Sequence, residues 1–181
     1  MTPTLSTTSY ALLSLLVIDS GSDDGLTGYE LKQRADYTLR FYWVSPAMSQ
    51  IYTELDRLSS HEYVKADEDT SGKRTTRRFH ITPTGREALQ RWLRTSEHEF
   101  PVLKHPIALR LMLGAMMGAD EVRAMLDSYE VALDERRRDL EAVREMLGDR
   151  DTVAYPARVA EWGLAFFESE ATTIDRIRDS L

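Results

Sequence analysis

Cysteine is absent from all 181 residues, which excludes a disulfide framework, a thiol nucleophile and thiolate ligation of zinc or iron–sulfur clusters. Long apolar runs are missing as well. The most apolar stretch, Tyr10 to Ile18, is interrupted by Ser14 and falls short of the roughly 20 residues that a membrane span requires. No lysine or arginine precedes it, so it lacks the charged opening of a secretory signal. A cytoplasmic protein with no membrane partner is therefore expected. The sequence has no phosphate loop of glycines with lysine, no glycine fingerprint between a strand and a helix, no His-Glu-x-x-His and no nucleophile elbow. Neither catalytic residues nor a cofactor are expected. His61, His80, His98 and His105 share no ligand-like spacing, and His98 between Glu97 and Glu99 reads as solvated linker, so no metal site is expected either.

What is present is the composition of a folded protein, 42% hydrophobic and 29% charged with a net charge of −7. An acidic balance argues against nucleic acid only when the charges are evenly spread, because binding responds to the local field. Here Lys73, Arg74, Arg77 and Arg78 form a basic strip with no acid among them. Such a strip is a solvated hairpin tip or a contact for DNA phosphates, and only its surroundings decide which.

Apolar periodicity places a first helix from about Ser6 to Ile18, with Tyr10, Leu13 and Val17 on one side. A second begins at a capping box, Thr27 with Glu30 three residues on, flanked by Leu26 and Leu31 as a hydrophobic staple. Ser45-Pro46 marks the start of a third helix, a capping hydroxyl followed by proline in the first turn. Its buried stripe is Ile51, Leu55 and Leu58. At about 100° per residue, Ser49, Thr53 and Asp56 face the other way, with Tyr52 at the border. Two strand-like runs, His61 to Ala66 and Arg77 to Ile81, enclose a turn and make a two-stranded hairpin. Thr82-Pro83 then caps a fourth helix to about Thr95, carrying Leu89, Trp92 and Leu93. Helix, helix, helix, hairpin, helix is the layout of a winged helix-turn-helix, whose third helix enters the major groove beside the hairpin.

Beyond a proline-containing link from Glu97 to Pro106 the chain reads as helical: Ile107 to Met117, a long helix from Asp120 to about Leu147, and a last one from roughly Ala157 to Leu181. Val122, Leu126, Tyr129, Leu133, Leu140, Val143 and Leu147 follow a four-three spacing broken only at Arg136, which is a coiled-coil seam. Phe167, Ile174, Ile177 and Leu181 form a second stripe. The seam packs within one chain or pairs two copies, and its heptad register favours the second. The expected fold is mainly α with a small β-hairpin: a winged helix-turn-helix over residues 1–96, then an antiparallel, coiled-coil-like helical dimerisation domain over residues 97–181.

Three motifs in order resemble the PadR family of transcriptional regulators. Gly28-Tyr29-Glu30-Leu31 resembles its second-helix signature. Ser45-Pro46 followed by Tyr52, Leu55 and Leu58 resembles its recognition helix. Arg77-Arg78-Phe79 leading into Ile81-Thr82-Pro83-Thr84-Gly85-Arg86-Glu87-Ala88-Leu89 resembles its second wing strand and the helix after it. The resemblance spans about residues 8 to 95, while the C-terminal helices are similar in layout to the longer PadR subtype, whose terminal segment dimerises. It implies a homodimer on double-stranded DNA, a repressor acting on an inverted repeat, and release by a small effector. The rival reading is a dimeric adaptor of the same fold that binds proteins, which would have no need of the four wing cations.

The candidate DNA-binding residues are Ser45, Ser49, Gln50, Tyr52, Thr53, Lys73, Arg74, Arg77 and Arg78. Tyr52 is either a half-buried core tyrosine or, as the resemblance implies, a hydroxyl beside a phosphate. Two features depart from the family's pattern: the Asp19–Gly25 loop is long and acidic, and no cation faces outward on the third helix. Readout there rests on Ser49, Gln50 and Thr53, on water, or on DNA shape. Phe41, Trp43, Trp92, Met112, Met116 and Trp162 either belong to core and interface or line a pocket for an aromatic or apolar effector.

Overall fold

The computed structural model describes residues 5–18, 25–41, 45–69, 76–97, 100–101 and 104–181. In chain order its elements are α1 (Thr7–Ile18), β1 (Leu26–Thr27), α2 (Gly28–Thr38), α3 (Met48–Ser60), β2 (Val64–Asp69), β3 (Thr76–Ile81), α4 (Pro83–Thr95), α5 (Pro106–Leu111), α6 (Ala119–Leu147) and α7 (Ala154–Asp179). Short 3₁₀ turns lie at Leu39–Phe41, Gly114–Met116 and Asp151–Val153. The chain forms two compact units, Met1–His98 and Glu99–Leu181. No helix among the described residues is long and apolar enough to cross a membrane.

In the N-terminal unit, α1 is the central helix. It buries Ser9, Leu12, Leu13, Leu15 and Leu16, adjacent pairs that cover more of its circumference than the expected stripe of Tyr10, Leu13 and Val17, of which Tyr10 and Val17 are only partly buried. Leu31 of α2, Ile51, Leu55 and Leu58 of α3, and Phe79 of β3 complete the core with no exposed surface. The capping box of α2 forms as read: the Glu30 amide donates to Thr27 Oγ1 at 3.2 Å and the Thr27 amide donates to Glu30 Oε2 at 2.7 Å. Leu26 and Leu31 are both buried beside it.

The hairpin has a third strand. Leu26 pairs with Phe79 and Thr27 with Arg78, giving an antiparallel sheet ordered β1-β3-β2. Two residues carry no readable alternation, so β1 left no trace in the sequence pattern. β2 also starts at Val64 rather than His61, because the end of α3 is a Schellman motif. The Tyr63 amide donates to Leu58 O at 2.9 Å and the Glu62 amide to Ser59 O at 3.0 Å, with Glu62 in the left-handed region at φ 57°. Glutamate in the place usually held by glycine hides that turn. α4 follows its signals: Thr82 Oγ1 accepts from the Gly85 amide at 3.0 Å, with Pro83 in the first turn.

In the C-terminal unit the expected Ile107–Met117 helix stops at Leu111, and a 3₁₀ turn from Gly114 takes over. Asp120 does not cap α6; Gly118, at φ 89°, occupies that position, and Asp120 and Glu121 sit in the first turn, where the helix dipole favours them. α6 and α7 run antiparallel, since Arg144 near the end of α6 reaches Glu161 near the start of α7 at 2.8 Å, and Arg178 near the end of α7 reaches Asp127 at 3.0 Å. Val122, Leu126, Leu133 and Leu140 of α6 are buried in this single chain, as are Phe167 and Ile174 of α7. The seam assigned to a second copy is thus the packing within one chain. Val143, Leu147 and Ile177 are half-buried at its margin and Leu181 is exposed.

Gly85 is where the fold is least forgiving. A Cβ at this position would lie 2.1 Å from the Tyr63 carbonyl oxygen, a backbone atom that also accepts the Thr82 amide at 3.0 Å. Gly85→Ala is expected to destabilise the N-terminal unit by about 1–3 kcal/mol through overpacking. Thermal unfolding checks it, with an unchanged midpoint as the contrary result.

Candidate nucleic-acid interface

The inner stripe of α3 dictates its outer face. With Ile51, Leu55 and Leu58 fully buried, Ser49, Gln50, Tyr52, Thr53 and Asp56 are exposed. Some of their polar atoms are already committed. Gln50 Oε1 accepts from the Ala47 amide at 2.9 Å, closing the first turn, and Thr53 Oγ1 donates to Ser49 O at 2.9 Å. The amide nitrogen of Gln50 and the hydroxyl of Ser49 stand on an exposed surface. The Tyr52 ring lies on Gly28, where a Cβ would be 2.7 Å from the ring, while the residue stays 43% exposed.

Ser45 does not cap α3, which begins at Met48 with Ala47 in the N-cap position. Its hydroxyl instead donates to Asp36 Oδ1 at 2.6 Å and accepts from Lys32 Nζ at 3.0 Å. Lys32 also pairs with Asp36, so the three side chains latch the segment before α3 onto α2. Ser45 belongs to the scaffold of the site.

Glu54 is the residue that sequence reasoning missed. Its carboxylate accepts from Ser6 Oγ at 3.0 Å and from Ser9 Oγ, and Arg57 lies 3.9 Å away. Ser9 is fully buried, so these partly buried bonds tie α3 to the start of α1. The signal was available. Glu54 sits three residues after Ile51 and four before Leu58, on the core stripe itself, and a carboxylate there needs partners.

Lys73 and Arg74 lie outside the described residues. Arg77 and Arg78 are each engaged by the protein. Arg78 reaches Glu30 at 3.6 Å and donates to Gly25 O at 3.3 Å, stitching β3 to the start of α2. Arg77 lies 3.4 Å from Asp56 of α3, with its guanidinium 5.1 Å from the Phe79 ring centre. On the other sheet face Asp67 takes Lys65 at 3.1 Å and His80 at 3.3 Å.

The aromatic and methionine candidates do not gather in the cavity that the C-terminal unit contains. Trp92 is stacked on Tyr10, ring centres 4.6 Å apart, Arg40 lies over Phe41, and Trp43 lies outside the described residues. Met112, Met116 and Trp162 are largely exposed. An open groove of about 660 Å³ in the C-terminal unit is lined instead by Ile107, Arg110, Met117, Glu121, Ala124, Met125, Ser128, Tyr129 and Ala132. Tyr129, placed on the seam by its spacing, donates to Glu170 at 3.1 Å beside His105. Burial, then the Glu170 charge and hydrogen bond, push its hydroxyl up to about 12. Among the described residues no cluster of His, Asp and Glu could hold a metal ion.

A helix whose inner face is wholly buried and whose outer face is polar, set beside a three-stranded sheet, defines a winged helix-turn-helix. Residues 15–91 match the model of the transcriptional regulator PadR-like family, which places a PadR-like domain over that part of the chain. Solved structures agree in fold. Bacillus subtilis PadR in complex with operator DNA matches at 19% identity and TM-score 0.85, over 99% of this chain and 100% of that one. The PadR-like transcriptional regulator BC1756 from Bacillus cereus matches at 18% and 0.77, over 99% and 98%. Bacillus subtilis PadR in complex with p-coumaric acid matches at 20% and 0.75, over 97% and 98%. Among curated proteins none matches. At these identities the likeness of structures carries the fold alone.

Two carboxylates tie the scaffold to pH. Burial pushes Glu30 up, but the Thr27 amide and hydroxyl, with the charges of Arg78 and Arg34, outweigh it and hold the carboxyl below its ordinary value of 4.5. Lys32 and Ser45 hold Asp36 below its ordinary value of 3.8. A depressed folded-state value means the stabilisation is complete above the ordinary value and disappears as pH falls through the lower one. Glu30→Gln and Asp36→Asn are expected to lower stability at neutral pH and to narrow the drop between neutral pH and about pH 3. Urea unfolding at several pH values measures this, and variants with the full wild-type drop would contradict it.

Proposed function

We propose that this protein is a sequence-specific regulator that binds double-stranded DNA as a homodimer and represses from an inverted repeat in the cytoplasm. The observation that carries the reading is the outer face of α3: Ser49, Gln50, Tyr52 and Thr53 stand exposed on a helix whose inner stripe leaves it no rotational freedom. Serine and glutamine at such positions read base edges, and a tyrosine hydroxyl at the border meets the backbone. Lys73 and Arg74 supply wing charge for phosphates. The operator complex of the Bacillus subtilis neighbour supports the same use of the fold, and its complex with p-coumaric acid supports a small aromatic effector.

Pairing is assigned to surfaces that the internal seam leaves over. Tyr155, Trp162 and Phe166 of α7 are 75%, 78% and 44% exposed and, seven and four residues apart, share one helix face. Leu109, Leu113, Met112 and Met116 are exposed on and after α5. Apolar area of that extent in a single chain marks an interaction surface, and two copies on half-sites about 34–36 Å apart supply the specificity that one winged helix lacks.

Binding to duplex DNA at several salt concentrations tests the reading. Lys73→Ala and Arg74→Ala should weaken all sequences alike and flatten the slope of log affinity against log salt by about 0.9 each. Ser49→Ala and Gln50→Ala should change the preferred base pairs, at about 1–3 kcal/mol of discrimination for each lost contact. Tyr52→Phe should lower affinity and leave preference alone. Wild-type binding profiles in all of these variants would remove α3 and the wing from the DNA surface. For assembly, the intact protein is expected to sediment as a dimer at micromolar concentration and the Trp162→Glu/Phe166→Glu variant as a folded monomer. A wild-type monomer that binds at full strength would overturn it. Released DNA on titration with p-coumaric acid is the expected effector result.

A further inference from the structure

Resting on the reading of α3 and the wing as the DNA surface, we propose that Asp56 holds Arg77 back from DNA, so that this cation contributes little to backbone affinity in the wild-type protein. Asp56 lies on the exposed face of α3, four residues after Tyr52 and seven after Ser49. Its side chain is 67% exposed and that of Arg77 is 51% exposed, with Nη1 and Oδ1 3.4 Å apart. The guanidinium is steadied from beneath by Phe79, a fully buried ring of the core. Arg77 is therefore fixed at the junction of α3 and β3, the two elements that would meet the duplex, with its charge met by a carboxylate on the same side.

A phosphate must displace that carboxylate, and the carboxylate itself faces a polyanion. An exposed pair of this kind is worth at most about 1 kcal/mol, so Asp56 biases the contact and does not block it. The consequence falls on nonspecific binding, which is essentially electrostatic. A neutral residue at position 56 would add one phosphate contact on any sequence. With the carboxylate in place, retention on DNA leans more on base contacts from Ser49 and Gln50.

The test is a cycle of Asp56→Asn, Arg77→Ala and the double variant in the full-length protein, on a random-sequence duplex over a range of salt. Asp56→Asn should tighten binding by roughly two- to fivefold near 0.1 M salt, the fold-change matching a weak exposed pair, and steepen the salt slope by up to about 0.9. Arg77→Ala alone should change little, and the double variant should lose the gain, a non-additive cycle. A gain that persists in the Arg77→Ala background overturns the proposal, because Asp56 would then act only as a like charge. So does weaker binding or altered base preference in Asp56→Asn, which would make the carboxylate a reader of bases. Wild-type protein that binds with a salt slope while Asp56→Asn matches it defeats this inference alone. Wild-type protein with no salt-dependent binding defeats the DNA reading beneath it.

Discussion

The rotation of α3 about its own axis governs everything on its outer face. Ile51, Leu55 and Leu58 are all fully buried, and burial of such side chains contributes about 1.5–3 kcal/mol each, so no other rotation competes. The polar ties are smaller individually and act as selectors of position. Glu54 fastens one side of the helix to Ser9 of α1 and to Ser6 just before it, Tyr52 rests its ring on Gly28 at the start of α2, and Ser45 latches the incoming chain to Asp36. A helix fixed from three directions can present Ser49 and Gln50 with the precision that hydrogen bonds to base edges require.

The sheet is locked to the same frame by charge. Arg78 joins β3 to Glu30, and Glu30 already closes the capping box with Thr27, so one carboxylate serves both the helix start and the wing stem. Arg77 joins β3 to Asp56. The two neighbouring arginines point to different helices because side chains alternate across a strand. Within a basic strip that looked uniform in sequence, Arg77 and Arg78 are each tied to a helix of the same unit.

Local chemistry was legible and tertiary accommodation was not. The capping box at Thr27 and Glu30, the Thr82-Pro83 start of α4 and the stripe of α3 were readable because each is decided within one helical turn. β1 was not, since two residues gain their strand geometry only from pairing with Phe79 and Arg78. The early end of the α3-to-β2 turn was hidden by Glu62, a residue that seldom adopts positive φ. Ser45 had the right chemistry for a cap and two residues of the wrong spacing. Glu54 was legible in principle, because an acid on a core stripe announces a partner, but the partners were 45 and 48 residues away.

The heptad spacing of α6 carries the same lesson at a larger scale. A four-three repeat specifies a face that must be covered and is silent about which chain covers it. In this protein α7 folds back antiparallel along α6, Leu126, Leu133 and Leu140 of α6 and Phe167 and Ile174 of α7 are all buried, and Arg178 fixes the register through Asp127 and Glu130. An internal partner is always available at high effective concentration, and a second copy is not, so the repeat is satisfied within the chain before any association. What the repeat leaves uncovered is different in kind: Trp162 and Phe166 of α7 and Met112 and Met116 after α5 stay exposed, and methionine and aromatic side chains of this sort adapt to varied surroundings.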